Sequence, residues 1–325
     1  MLSQSAFGVL ASTLRGSRGL AGKAEIVHAV TRLGLSASSL IAVGDDCAAI
    51  PDGDGFLLFA MEGFINAFVA QDPWFAGWCG IMVNVSDIVA MGGRPIAVVD
   101  AIWAKDADSS SAILDGLQAA SSKFNVPIVG GHTNLASAQG QLAVAILGRA
   151  KKLLTSFDAE PGDHLIAAID LRGRYRDPFM NWEAATDAPA DRLRADHEIL
   201  ATLAEEGLSG AAKDISQGGV VGTAGLFAEC SGVSMCIDVA AVPRPEGVDL
   251  ARWLQTFPSF GYLVAVKPHN VAAVLKRFSD RNIAAADIGL ISGGYKLSIR
   301  SGAHEETIWN FAEKKLTSLT RAGAH

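Results

Sequence analysis

An α/β fold in two domains is predicted by three observations. Strand-length apolar runs alternate with amphipathic helical stretches along the chain. Its 325 residues exceed one typical domain. Half of them are hydrophobic and 34 are glycine, enough for a large core broken by many tight turns. Mean hydropathy is +0.27. Even so, the most apolar region, residues 80–103, holds Asn84, Asp87, Arg94 and Asp100, which a lipid-facing helix would not carry. A cytoplasmic protein without membrane contact is expected. The hydrophobicity then predicts buried parallel strands, an oligomer interface, or both.

The elements follow in order. Strands are expected at residues 39–43 and 56–61. Residues 74–91 read as a helix, with Ile81, Val85, Ile88 and Val89 at helical spacing. Asn84, Asp87 and Met91 share another face of it. Gly92-Gly93 stops that helix and Pro95 forbids its resumption. A strand at 96–103 and a helix at 109–123 follow, the latter with Ile113, Leu117 and Ala120 on one side. A short strand at 126–129 runs into Gly130-Gly131-His132-Thr133-Asn134, and another spans 142–147. The boundary falls near 153–163, giving domains 1–152 and 153–325. Strand 164–169 opens the second domain, which continues with helix 193–206, helix 223–230, strand 262–266, helix 271–279 and strand 295–299. Between them, residues 170–191 have no clean period and are rich in arginine and aromatic residues. A loop this long is expected to face a substrate, with Arg172, Arg174, Arg176 and Trp182 as its contacts.

The chain opens differently. Arg15-Gly16-Ser17-Arg18-Gly19-Leu20-Ala21-Gly22-Lys23 carries too many glycines for a helix. Residues 1–24 are expected to form a flexible cationic arm, either closing over phosphates or fraying. Its basic residues precede the first acid, Glu25, a weak likeness to a targeting peptide, and a glycine-bearing arm is the reading taken. The net charge of −7, without a basic cluster, argues against a nucleic-acid partner. Cys47, Cys79, Cys230 and Cys236 have no metal-ligand spacing and read as reduced core thiols.

The chemistry concentrates in a few acids. Asp45 and Asp46 interrupt the apolar run from Leu40 to Ile50. Burying both unpaired would cost several kcal/mol or so each, which leaves either a divalent cation or a surface Gly-Asp-Asp turn. A second acid, Asp214, enters the glycine turn of Asp214-Ile215-Ser216-Gln217-Gly218-Gly219, whose N–H groups could hold an anion at a helix start. No P-loop or Gly-x-Gly-x-x-Gly signature is present.

Four segments occurring in this order, Val43-Gly44-Asp45-Asp46-Cys47-Ala48-Ala49-Ile50, Val83-Asn84-Val85-Ser86-Asp87 through Pro95, Pro127 through Thr133, and Asp214 through Gly219, resemble the PurM-like ATP-binding superfamily. Its members include AIR synthase, thiamine-monophosphate kinase, selenophosphate synthetase and the hydrogenase-maturation protein that makes a cyano ligand. The resemblance implies an N-terminal α/β domain that forms a homodimer through its strands and a C-terminal α/β domain, with Mg2+ and ATP held between the two. It implies metal acids at Asp45, Asp46, Glu62, Asp87 and Asp214. Nucleotide contacts are implied at Gly44, Asn84, Gly130, Gly131, Thr133, Gly218 and Gly219, and catalytic groups at Lys23, His132 and Asp214.

Two departures qualify the likeness. His132 stands where several relatives have an acid, and neutral imidazole is a poor magnesium ligand, so it is read as a phosphate, substrate or acid–base group, or as a structural histidine. Gln217 replaces the aspartate of the kinase motif, and Gly218-Gly219 is nearer the AIR-synthase style. The chain ends without a cysteine and has none before Cys47, against the cyano-ligand and selenophosphate chemistries. The expected activity is ATP-dependent phosphoryl transfer to an oxygen of a small metabolite, activating an amide or carboxyl group. Its alternatives are a kinase similar to thiamine-monophosphate kinase and a non-catalytic nucleotide-binding or assembly subunit. An acidic metallo-hydrolase is the weakest rival.

Overall fold

The computed structural model describes residues 2–39 and 41–320. Leu40, part of the expected first strand, and residues 321–325, the expected cysteine-free end, lie outside the described residues. The helices are α1 (Gln4–Arg15), α2 (Arg18–Lys23), α3 (Ile26–Leu33), α4 (Asn66–Gln71), α5 (Pro73–Ala90), α6 (Ala107–Phe124), α7 (Ala190–Glu206), α8 (Gly219–Ser231), α9 (Leu250–Trp253) and α10 (Val271–Ser279). The strands are β1 (Ala48–Asp52), β2 (Gly55–Phe64), β3 (Arg94–Trp103), β4 (Ile128–Asn134), β5 (Gln141–Ala150), β6 (His164–Ile169), β7 (Arg174–Tyr175), β8 (Asn181–Glu183), β9 (Ala211–Asp214), β10 (Val233–Asp238), β11 (Phe257–Pro258), β12 (Gly261–Val266), β13 (Ala284–Gly293), β14 (Lys296–Ser301) and β15 (His304–Asn310). Among the described residues no helix is long and apolar enough to cross a membrane. The chain divides into two units, one of Met1–Asp46, Leu153–Ala185 and Leu203–His325, the other of Cys47–Lys152 and Thr186–Thr202.

The second unit is a five-stranded sheet in the order β1-β2-β5-β3-β4, with only β3 and β4 parallel among its pairs. Helix α5 packs on it, and α6 packs against α5. Helix α5 starts where the Asp72 side chain accepts the Phe75 N–H and Pro73 takes the first turn. Helix α6 opens on a capping box between Asp106 and Ser109 and closes on Asn125 in the left-handed region. The two helices approach so closely that a Cβ on Gly77 would lie 2.0 Å from the Ile113 carbonyl oxygen, and one on Gly116 would lie 1.9 Å from that of Trp74. Strand alternation sends Leu58, Val98, Ile102, Val144 and Ile146 inward, all buried. The opposite alternation leaves Phe59, Met61, Val99 and Leu147 exposed. Phe59 faces Leu147, and Ala145 lies between Met61 and Val99.

The first unit is built on a seven-stranded sheet, β15-β14-β10-β13-β6-β12-β9, antiparallel except between β10 and β14. Helix α8 is buried along its whole length. The expected flexible arm is instead α1 and α2. Phe7, Leu10, Ala11, Leu14 and Leu20 belong to the main core of this unit, and Arg15 reaches Glu306 and the Thr307 carbonyl of β15. Packing of an apolar face outweighs the glycine content. Residues 1–46 therefore group with the C-terminal part of the chain, not with the N-terminal domain of the expected division. Residues 41–43 form no strand. Their apolar character comes from a small separate cluster, in which Ala42 and Val43 pack against Val30, Ala37, Phe157, Cys230 and Leu319.

The 170–191 segment also differs from expectation. Strands β7 and β8 pair with each other, and β8 pairs with β11, in a small third sheet. Trp182 is buried, donates its indole N–H to the Asp170 carbonyl and meets Tyr175 and Trp253 edge-on. Arg172 grips the buried Asp170 carboxylate through Nε at 2.7 Å and Nη2 at 3.1 Å. Both residues thus hold the segment together, a correction to their expected place at a substrate. Arg174 is exposed and Arg176 is part-buried.

Two predictions follow from these packings. In the second unit the His197 ring stacks on Phe124 at 5.5 Å, and burial pushes its pKa down to about 4. The unfolded chain then binds more protons between about pH 4 and 6.5, so His197 makes stability fall on acidification through that window. His197→Phe should flatten this part of a Tm–pH profile; an unaltered slope counts against a neutral buried imidazole. In the first unit, Arg172→Ala leaves Asp170 short of its main cation. A loss of roughly 1–3 kcal/mol is expected, discounted for the guanidinium's partial exposure, with nucleotide affinity unchanged in the same preparation. Undiminished Tm with weakened ligand binding would restore the substrate role.

Candidate functional site

Asp45 and Asp46 leave the chain in a turn at Gly44, whose φ of 124° lies in the region glycine favours. A Cβ there would also press on Leu319 at 3.0 Å. The two carboxylates have different surroundings. Asp45 Oδ1 accepts from its neighbour's N–H at 3.0 Å and from Ser156 Oγ at 2.6 Å, while Oδ2 accepts from the Ser156 N–H at 2.9 Å. Asp46 Oδ1 accepts from Lys213 Nζ and Oδ2 from the Asp214 N–H at 3.1 Å. Lys213 Nζ also donates to Ser156 Oγ at 3.2 Å. The Lys213 and Asp46 side chains are only 4% and 6% exposed, so the pair is desolvated.

Burial pushes the Asp45 carboxyl up to about 6 against the pull of Lys213. Burial also acts to lower the Lys213 pKa, but Asp46 and Asp45 outweigh it and hold the ammonium above the ordinary lysine range. Sequence reasoning overlooked Lys213. The signal was available: like the aspartate pair, Lys213-Asp214 interrupts an apolar run, here between Ala211-Ala212 and Ile215. Cys230 completes the surroundings, donating to the Gly44 carbonyl at 3.4 Å, and burial pushes its thiol up to about 12, out of reach of thiolate chemistry.

Asp214 ends β9 and leads into the expected glycine turn. Gly218 has φ 101° and Gly219 φ 64°, after which α8 begins. Lys23 is buried on this turn. Its Nζ donates to Ser216 Oγ at 3.1 Å, and its Cε would lie 3.2 Å from a Cβ on Gly218. A Cβ on Gly19 would come within 2.5 Å of the Gly218 Cα, so this glycine of α2 is set by close approach to the turn. Lys23, Asp46, Asp214, Gly218 and Gly219 are thus drawn together within one unit. Its carboxylate donors are the oxygen type a hard cation takes. Asp45, expected among the metal acids, differs from Asp46 in its partners: Ser156 and the backbone hold both its oxygens.

The second unit carries the remaining expected residues. Asn84 and Asp87, one turn apart on α5, are both buried. Asn84 Nδ2 donates to the Gly80 carbonyl at 2.8 Å, while its Oδ1 finds no hydrogen-bond partner among the described residues. A buried amide oxygen left so is costly and fits a cation or ligand donor. Glu62 is exposed near the end of β2. The strand expected to end at 129 extends through Gly130, Gly131, His132 and Thr133 as β4 beside β3, with His132 opposite Ala101 and its ring 5.9 Å from that of Trp103. Gly131 is required there, since a Cβ would lie 2.7 Å from the Asp100 carbonyl oxygen.

Comparison with known proteins identifies the family and the fold. Residues 44–150 match the model of the AIR synthase related protein, N-terminal domain, and residues 178–301 that of the AIR synthase related protein, C-terminal domain. The uncharacterized protein sll0787 of Synechocystis sp. is 48% identical over 282 residues, covering 86% of this chain and 87% of its own. The uncharacterized protein MJ0640 of Methanocaldococcus jannaschii is 36% identical, covering 85% and 86%. Among solved structures, Thermotoga maritima PurL complexed with ATP superposes with a TM-score of 0.71 at 18% identity over 84% of this chain and 46% of that one. AaThiL complexed with AMPPCP and TMP gives a TM-score of 0.64 at 18% identity over 86% and 94%. This chain spans about half the length of the PurL chain it matches. The fold is that of these two structures, and the chain belongs to the AIR synthase-related family.

Proposed function

We propose that this protein is a magnesium- and ATP-dependent enzyme that transfers the γ-phosphoryl group to an oxygen of a small metabolite, activating an amide or carboxyl group. The observation that carries the reading is the gathering of Asp46, Asp214 and Lys23 on the Gly218-Gly219 turn at the start of α8. The backbone N–H groups of such a helix start favour an anion, and Lys23 adds a cation beside it. Kinship supports it, since relatives in this fold are solved with ATP and with AMPPCP.

Asp46 and Asp214 would hold magnesium in the first unit; in the second, the family resemblance implies Asp87 as a metal acid and Asn84 as a nucleotide contact. The ion supplies neutralisation of phosphate charge when bound. Lys23 would orient a phosphate rather than act on a proton. The Gln217-Gly218-Gly219 sequence favours activation over simple kinase chemistry similar to that of thiamine-monophosphate kinase. The kinase alternative is marked by a phosphorylated metabolite that accumulates.

The test measures ATP affinity with and without magnesium, then the products formed from ATP with a panel of small amines, amides and phosphorylated metabolites. Asp214→Asn and Asp87→Ala should each weaken magnesium-dependent ATP binding by about 10- to 100-fold, the equivalent of roughly 1.5–3 kcal/mol. ATP binding indifferent to magnesium sinks the proposal, and binding without turnover on any panel member favours a non-catalytic nucleotide-binding subunit.

A homodimer is part of the same reading. The uncovered face of the second unit's sheet carries Phe59 at 49% and Met61 at 67% exposure, with Val99 and Leu147 beside them. An apolar sheet face of this kind suits a second copy of the same face. Val99→Glu should convert a dimer to a monomer in light scattering; a wild-type monomer at micromolar concentration refutes the pairing.

A further inference from the structure

Lys213 is the buried charge that the proposed activity leaves without a role. Its ammonium touches Asp46 Oδ1 and Ser156 Oγ, and Ser156 Oγ in turn holds Asp45. Both hydrogen-bond partners of the ammonium are oxygens of the kind that coordinate magnesium or manganese. Adjacent buried carboxylates demand a positive charge among them, and here the chain supplies it from β9. Asp45, Asp46 and Asp214 bring three carboxyl groups to this unit and Lys213 offsets one of them.

We propose that Lys213 is a positioning residue that stands in for a divalent cation between Asp45 and Asp46. It keeps that pair assembled in the absence of metal and limits the ions this unit takes up. Asp46 is then oriented before any ion arrives, with Oδ1 turned to Lys213 and Oδ2 to the Asp214 N–H. The idea shares the metal reading of Asp46 given above but does not depend on ATP use.

The experiment is therefore done on the full chain without nucleotide. Manganese binding is counted by the loss of the free-ion EPR signal, and Tm is followed in EDTA and in millimolar magnesium. Lys213→Ala opens space lined by the same oxygens. It should bind one more manganese ion per chain than wild type, melt lower in EDTA, and recover most of that loss with magnesium. Lys213→Arg should behave as wild type in both readouts. The double variant Lys213→Ala with Asp46→Asn removes both members of the ion pair; it should fold without metal and lose the extra ion.

An unchanged manganese count in Lys213→Ala, or a Tm loss that magnesium does not repair, overturns the proposal. If Lys213→Ala cannot be purified, the double variant decides: a stable, metal-independent fold supports the stand-in role, and failure to fold refutes it. Wild-type protein that binds no ATP, together with a Lys213→Ala variant that gains its ion, would leave this inference standing and remove the enzymatic one.

Discussion

The Lys213–Asp46 pair is the constraint on which the first unit's organisation turns. An ammonium and a carboxylate, each almost wholly withdrawn from water, are costly unless every remaining hydrogen-bonding position is filled. The fold fills them from three separate stretches. The Gly44 turn brings the aspartates, residues 155–158 bring Ser156, and β9 brings Lys213 and the Asp214 N–H. Ser156 is fixed in turn, its carbonyl accepting from Ser231 Oγ at 2.7 Å at the end of α8. Removing any one member leaves the others buried and short of a partner, so the loop between Val43 and Asp46 has little freedom to rearrange.

Helix α8 connects this network to two distant features. At its start, the Gly218-Gly219 turn receives Lys23, and Thr223 Oγ1 accepts the Ser216 N–H at 3.2 Å. At its end, the buried Glu229 carboxylate accepts four hydrogen bonds from Leu316, Thr317 and Ser318, which brings Leu319 against Gly44. A single buried helix thus holds the phosphate-type turn at one end. At the other it holds the tail that backs the aspartate turn. Charge-assisted hydrogen bonds of this kind are worth roughly 1.5–3 kcal/mol each, which is why a short, otherwise irregular tail can stay docked.

Legibility from sequence followed the strength of local signals. Helices α5 and α6 carry clear periodicity, capping residues and stop signals, and their expected limits agree closely with those observed. The acids Asp46, Asp87 and Asp214 stood out because charge in apolar surroundings needs a reason, and their side chains are indeed withdrawn from water. The failures came where tertiary contact overrides local preference. Gly16, Gly19 and Gly22 read as a loop, yet Gly19 is there to let α2 touch the Gly218 turn. Residues 41–43 read as a strand because apolar runs of that length do not reveal what they pack against. Asp45 and Asp46 read as equivalent neighbours. Nothing in their adjacency shows that one turns to Ser156 and the other to Lys213, because those partners lie over a hundred residues away.

The high mean hydropathy finds its physical account in the second unit. A sheet with helices on one side buries alternate residues only, and the other alternation would ordinarily be polar. Here both alternations are apolar: Leu58, Val144 and Ile146 face inward while Phe59, Met61, Val99 and Leu147 face out. The antiparallel pairing of β2 with β5 is unbroken from Phe56 to Phe64, so a one-residue slip would exchange the two sets along the whole strand. The contact of Gly80 with Val144 and Leu142 puts the Val144 set against α5. The outward residues then have no packing duty within the described chain. An exposed apolar face of this kind is what the proposed pairing of two copies requires.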